Sequence, residues 1–315
     1  MNRIKKIITT VFLGVALLVV TGCEVKESIN KDMSTEGVKE EKSEESQKMD
    51  ESEEEEQSDI VVATSVAVVE ILDKLGVQVQ GVPTSSYDLP ESTVSATKVG
   101  NPMSPDMEII KSLEPTIVIA TDTLGSDYEN LFKSNNIPSV FVDLNSIEGL
   151  KATVTQLSKR FNKVEKGEVI LKEIQEKEDS FKDISEEKEL DVMIVFAAPG
   201  GVSMLATEES YIGNLVKVAG GNNLAGKSDE PFISYNREAL SQMNPDKILV
   251  MTHALPEQTI AEFKEVLATD IAWQNIKAVQ EGQVEFLDSN YFGMSANLKV
   301  IESLEILKEI LYPKE

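Results

Sequence analysis

The chain has one cysteine, Cys23, and one histidine, His253, among 315 residues. A lone cysteine excludes internal disulfides, thiolate metal sites and a buried cysteine nucleophile in the same chain. A lone histidine means that any Ser-His-Asp triad must recruit His253, yet no serine stands in a G-x-S-x-G elbow. H-E-x-x-H, C-x-x-C and P-loop patterns are absent, and AAPGG (197–201) lacks the G-x-G-x-x-G order of a dinucleotide turn. Basic residues are also short: 30 Lys and Arg against 55 Asp and Glu leave a net charge of −25. Such a chain repels phosphate backbones, which excludes a nucleic-acid partner.

What is present begins with a leader. Arg3, Lys5 and Lys6 precede an apolar run, Ile7 to Val20, too short to span a bilayer but right for the central region of a secretion signal. The run ends Val20-Thr21-Gly22-Cys23, which resembles the lipobox of bacterial lipoproteins, so residues 1–22 are expected to be removed and Cys23 lipidated. Acyl chains there would hold the protein at a membrane face without crossing it. Residues 23–58 carry 14 acidic and 5 basic residues and almost no large apolar side chains, and the stretch reads as a self-repelling tether.

From Asp59 the pattern turns globular. IVVATS reads as a buried strand and VAVVEILDKLG as a helix ended by Gly76; further strands and helices alternate to Val142. Residues 59–145 are expected to form one α/β lobe. Residues 146–185 read as a nearly continuous connecting helix, with Leu150, Val154, Leu157, Phe161, Val164, Ile170, Leu171 and Ile174 at approximate helical spacing. At about 1.5 Å per residue, thirty residues would reach roughly 45 Å. Residues 186–315 form a second lobe with the same cadence. Glu108 is followed seven residues later by Pro115 and TIVIA, and Glu238 seven residues later by Pro245 and KILVM. The expected class is α/β, two Rossmann-like lobes joined by a single long helix.

Two side chains stand out chemically. His253 follows the buried strand Lys247 to Thr252, and loops beyond strand carboxyl ends converge on the ligand crevice of open α/β sheets. Met103 precedes Ser104, read as an N-cap with Pro105 as first helical residue. An apolar residue there usually staples to the fourth helical position, which is Glu108, so no staple is available. A thioether does not suit zinc, calcium or magnesium, whereas His and Met are an established axial pair for haem iron.

IVVATSVAVVEI, GVPTS, VGNPMSPDMEIIKSLEP, EESYIGNLVKVAGG, PFIS, THALPE and YFGMSAN, between about Ile60 and Tyr312, resemble the substrate-binding lipoproteins of bacterial iron-chelate and cobalamin importers, most closely their haem (heme) branch. The resemblance implies the class III periplasmic-binding-protein fold, haem b as transported ligand, Met103 and His253 as its axial ligands, and no enzymatic activity. It also implies docking of Glu108 and Glu238 on arginines of an ABC permease, which works with its ATPase. Candidate haem contacts are Thr64, Ser65, Ser86, Tyr87, the backbone at Gly200 and Gly201, and Phe292; the family tyrosine stands one place before Tyr87. The expected protein is a monomer, lipid-anchored on the outer face of the cell membrane and supplied by haem-donor surface proteins. A siderophore or cobalamin receptor of the same fold is the alternative, and a haem enzyme such as a peroxidase the reading from another class.

Overall fold

The computed structural model describes residues 59–181, 190–253 and 255–313. The leader, Cys23, the acidic stretch 23–58 and the end of the connecting segment, 182–185, lie outside the described residues.

In the first lobe, β1 (Val61–Ala63) is buried along its length, as a parallel strand covered on both faces must be. α1 (Val66–Leu75) begins where Ser65 Oγ accepts the Val68 N–H and ends at Gly76, whose φ of 74° is the left-handed stop that glycine takes freely. β2 (Gly81–Val82), β3 (Thr97–Lys98), a hairpin of β4 (Gly100–Asn101) and β5 (Ser104–Pro105), α2 (Met107–Ser112), β6 (Ile117–Thr121), α3 (Gly125–Ser134) and β7 (Ser139–Val142) follow. The sheet order is β3-β2-β1-β6-β7, parallel throughout, with Val62 opposite Val118. Its order reverses between β1 and β6, which places a crevice beyond the strand carboxyl ends.

The connecting segment departs from expectation. It forms two helices, α4 (Ile147–Arg160) and α5 (Val164–Asp179), folded back as a hairpin. Asn162 takes a φ of 53°, a conformation asparagine tolerates better than most residues. Gly167 lies against Ser158, and Lys151 reaches both Gln175 and Glu178. The apolar periodicity runs through the break because both helices bury a stripe in the same core, so spacing alone shows no turn. Both helices bridge the lobes: α4 packs on α1 and on α6 (Tyr211–Val218), and α5 on α1 and on α11 (Val300–Leu311).

The second lobe runs β8 (Leu190–Ala198), β9 (Val202–Ala206), α6 (Tyr211–Val218), β10 (Gly221–Asn223), β11 (Phe232–Ile233), α7 (Arg237–Gln242), β12 (Lys247–Thr252), α8 (Pro256–Thr269), α9 (Ile271–Gln274), α10 (Lys277–Gln280), β13 (Val284–Phe286) and α11. Its sheet order is β11-β9-β8-β12-β13. β10 pairs with the start of β8, and β9 returns antiparallel to β8. Long parallel pairing of β12 on β8, from Lys247 opposite Val192 to Thr252 opposite Ala197, fixes where β12 delivers its last residue.

One core spans both lobes. Val68 and Leu72 of α1, Leu150 and Leu157 of α4, Ile170 and Ile174 of α5, Leu215 of α6, and Leu304 and Leu307 of α11 belong to a single buried cluster. Polar ties reinforce it. Asn214 Oδ1 accepts the Ile147 N–H at 3.0 Å, the Leu144 carbonyl accepts the Ala296 N–H at 2.7 Å, and Lys177 pairs with Glu305.

Beside Asn214, a Cβ on Gly213 would stand 1.9 Å from the Thr207 carbonyl oxygen. Alanine is ordinarily the better helix former by about 0.5–1 kcal/mol, but a backbone clash outweighs that gain. Gly213→Ala is therefore expected to lose about 3 kcal/mol, lowering the thermal midpoint by roughly 6–12 °C in a circular dichroism melt. An unchanged midpoint would show that the approach of α6 to Thr207 is loose.

Candidate functional site

The loops after β2, β12 and β13 meet at a cavity of about 510 Å³. Ser86 and Tyr87 contribute from the first lobe; Leu255, Pro256, Glu257, Gln258, Ser289 and Asn290 contribute from the second. The volume falls within the roughly 300–1,000 Å³ of ligand pockets, and all three loops leave the carboxyl ends of parallel strands. A larger groove of about 660 Å³, between Asp143–Ser146 and the 208–231 region, is lined by carboxylates, amides and two lysines and has Pro231 as its one apolar residue. The smaller cavity is the better ligand site because it lies beyond strand carboxyl ends, two residues from the single imidazole, and carries the apolar Leu255 and Pro256 and the Tyr87 ring.

His253 is placed by β12. Ile248 to Thr252 are buried, and the chain then emerges, leaving the imidazole exposed two residues before Leu255 of the cavity wall. Among the described residues it makes no hydrogen bond, so nothing there occupies its nitrogens. Directly before it, the buried Thr252 hydroxyl lacks a hydrogen-bond partner among the described residues, as does the Tyr211 hydroxyl in the core.

Partial loss of solvent on the side of the ring nearest the protein disfavours the imidazolium and lowers the His253 pKa below 6.5. The ring is therefore neutral at pH 7 with a lone pair to donate. The unfolded chain takes up this proton at a higher pH than the native one, so the group's contribution to stability is full above 6.5 and is lost as pH falls through the native pKa. An NMR titration of the imidazole is expected to give a midpoint below 6.5; one at or above it would contradict the desolvation.

Met103 sits at the tip of the β4–β5 hairpin, 58% exposed, with its N–H donating to Asn101 Oδ1 at 2.9 Å. The helix that was expected to begin at Pro105 begins at Met107. Asp106 caps it, one carboxylate oxygen accepting the N–H groups of Glu108 and Ile109, while Ser104 and Pro105 pair with β4. Met103 thus has no packing role, for a different reason than the missing staple. The Thr84 N–H donates to the Gly100 carbonyl at 2.7 Å, tying the base of this hairpin to the loop that carries Ser86 and Tyr87. Neither Met103 nor His253 lines the cavity; His253 lies two residues before Leu255 of one wall, and the hairpin that carries Met103 is tied at its base to the loop of the other.

The remaining candidates divide. Ser86 and Tyr87 line the cavity. Thr64 is 1% exposed with its hydroxyl turned to the Ile119 carbonyl, and Ser65 is engaged as the cap of α1. Gly200 and Gly201 form the exposed tip of the β8–β9 hairpin, where the Gly200 N–H already donates to Glu262 at 2.9 Å. Phe292, for which core packing is the equal alternative to a ligand contact, is 1% exposed and belongs to the shared core. Glu108 and Glu238 are both exposed and occupy the same place, two residues past the caps Asp106 and Asn236 of two six-residue helices.

Leu255, Glu257, Gln258, Ser289 and Asn290 were not singled out from sequence. The strand-end rule that found His253 also applies to Asp288-Ser289-Asn290, a polar turn just past β13, and would have found the last two.

The sequence pattern of the periplasmic binding protein family matches residues 61–291. The high-affinity heme uptake system protein IsdE of Staphylococcus aureus (strain bovine RF122 / ET3-1) is 33% identical over 255 residues, 80% of this chain and 87% of that protein. The crystal structure of S. aureus IsdE complexed with heme superposes with a TM-score of 0.77 at 32% identity, covering 81% of this chain and 99% of that one. An ABC transporter substrate-binding protein from Listeria monocytogenes EGD-e gives a TM-score of 0.77 at 34% identity, covering 82% and 100%.

Proposed function

The chain belongs to the periplasmic binding protein family, and from that premise we propose that it is a receptor that binds haem between its lobes and delivers it unchanged to an ABC permease. The observation that carries the reading is a cavity lined from both lobes, with an exposed imidazole two residues from one wall and an exposed thioether on the hairpin tied to the loop of the other. Met103 and His253 then fill the two axial positions of the iron, which leaves none for catalysis and suits transport without chemical change. Tyr87, Ser86, Gln258, Ser289 and Asn290 are the neutral hydrogen-bonding groups within reach of ligand carboxylates. Likeness to a haem-uptake protein over 80% of the chain supports the same ligand.

The proposal extends to the cell. Cys23 carries the lipid anchor that holds the protein on the outer face of the membrane, residues 23–58 serve as tether, and Glu108 and Glu238 meet the permease. Titration of the purified protein with haemin tests the reading: saturation at one equivalent with a low-spin, six-coordinate absorption spectrum is expected. A weak, unsaturable, high-spin spectrum would end it.

A further inference from the structure

Leu255 holds a conformation that its own packing does not explain. Its φ of 46° and ψ of 58° are left-handed, a region that glycine and asparagine enter readily and leucine rarely does. The turn itself is needed, because it starts α8 with Pro256 in the first turn and lets the Leu255 carbonyl accept the Thr259 N–H at 2.9 Å. The leucine side chain is not needed for that turn. It is 61% exposed, so no core contact offsets the strain, and it caps nothing.

That side chain lies in the wall of the 510 Å³ cavity, two residues from His253. With Pro256 and the Tyr87 ring it makes the apolar part of a wall whose other residues, Ser86, Glu257, Gln258, Ser289 and Asn290, are polar. Strained residues persist where the surroundings enforce them, and they gather at ligand clamps.

We propose that Leu255 is an affinity-determining contact, presented in a strained turn so that its side chain packs on the apolar face of the macrocycle coordinated by His253. This inference rests on the haem reading and adds to it the residue that grips the ring.

The test compares Leu255→Gly, Leu255→Ala and Leu255→Asn, each loaded with haemin, by the rate at which haemin passes to excess apomyoglobin. Loss of one leucine contact is expected to speed release about tenfold or more in all three, while the bound spectrum stays six-coordinate. Ligand-free Leu255→Gly and Leu255→Asn are expected to melt no lower than wild type, because both relieve the turn. Wild-type release rates in all three variants would overturn the inference. Faster release in Leu255→Gly alone, together with a lost six-coordinate spectrum, would also overturn it by assigning the effect to loop rigidity. A wild-type protein that does not bind haemin would overturn the haem reading itself, a result distinct from either.

Discussion

Replacing His253 with alanine is expected to weaken haemin binding by at least about a hundredfold and to abolish the six-coordinate spectrum. The magnitude follows from coordination chemistry. Losing an outer partner of a metal ligand typically costs about 10–100-fold, so removing the ligand itself costs more. With one histidine in the chain there is no second imidazole to substitute. Met103→Ala should cost less, about tenfold, because a thioether is the weaker donor, and its bound spectrum should turn five-coordinate and high-spin. Neither change should disturb the fold: both side chains are exposed and make no core contact, so stability should shift by no more than about 0.5 kcal/mol. Absorption spectra and thermal melts of both single variants and the double variant check this. A double variant that still binds haemin six-coordinate would remove the axial assignment.

Reversing charge at both Glu108 and Glu238 is expected to cut haem uptake by cells at least about tenfold while haemin binding by the purified protein stays at the wild-type level. The two carboxylates sit at the same step of equivalent helices, one in each lobe, and both are exposed. As first-turn helix acids alone, each stabilises by about 0.3–1 kcal/mol, far too little for its loss to unfold the protein. As docking charges they would govern encounter and register with a basic partner, an effect that weakens as salt rises. Glu108→Arg/Glu238→Arg separates the two roles. A slightly lowered melting point with normal uptake would leave only the helix role, and failed uptake with intact ligand binding assigns the docking role. Each single variant should fall between wild type and the double.

Much of the fold was legible in the chain because its cues are local. Continuous apolar runs gave the buried strands around Val62, Val118 and Val250, and the Glu108 and Glu238 cadence reappears as two capped helices each feeding a strand. Cap chemistry was legible only in part. Ser104-Pro105 and Asp106 both offer a plausible start to α2, and pairing with Gly100–Asn101 takes the former into a hairpin. The break at Asn162 was hidden because the helices on either side bury one common stripe.

By itself the sequence determined the α/β alternation, the scarcity of reactive groups, and the emergence of the single imidazole at a strand end. Those properties depend on residue types and on spacings of a few positions. Tertiary structure decided which side chains face the cavity and which the core: Phe292 turned inward, Thr64 bonded to a neighbouring strand, Leu255 held outward in a strained turn. Such choices are set by contacts between segments tens to hundreds of residues apart, where packing and hydrogen-bond satisfaction, not local preference, fix the direction of each side chain.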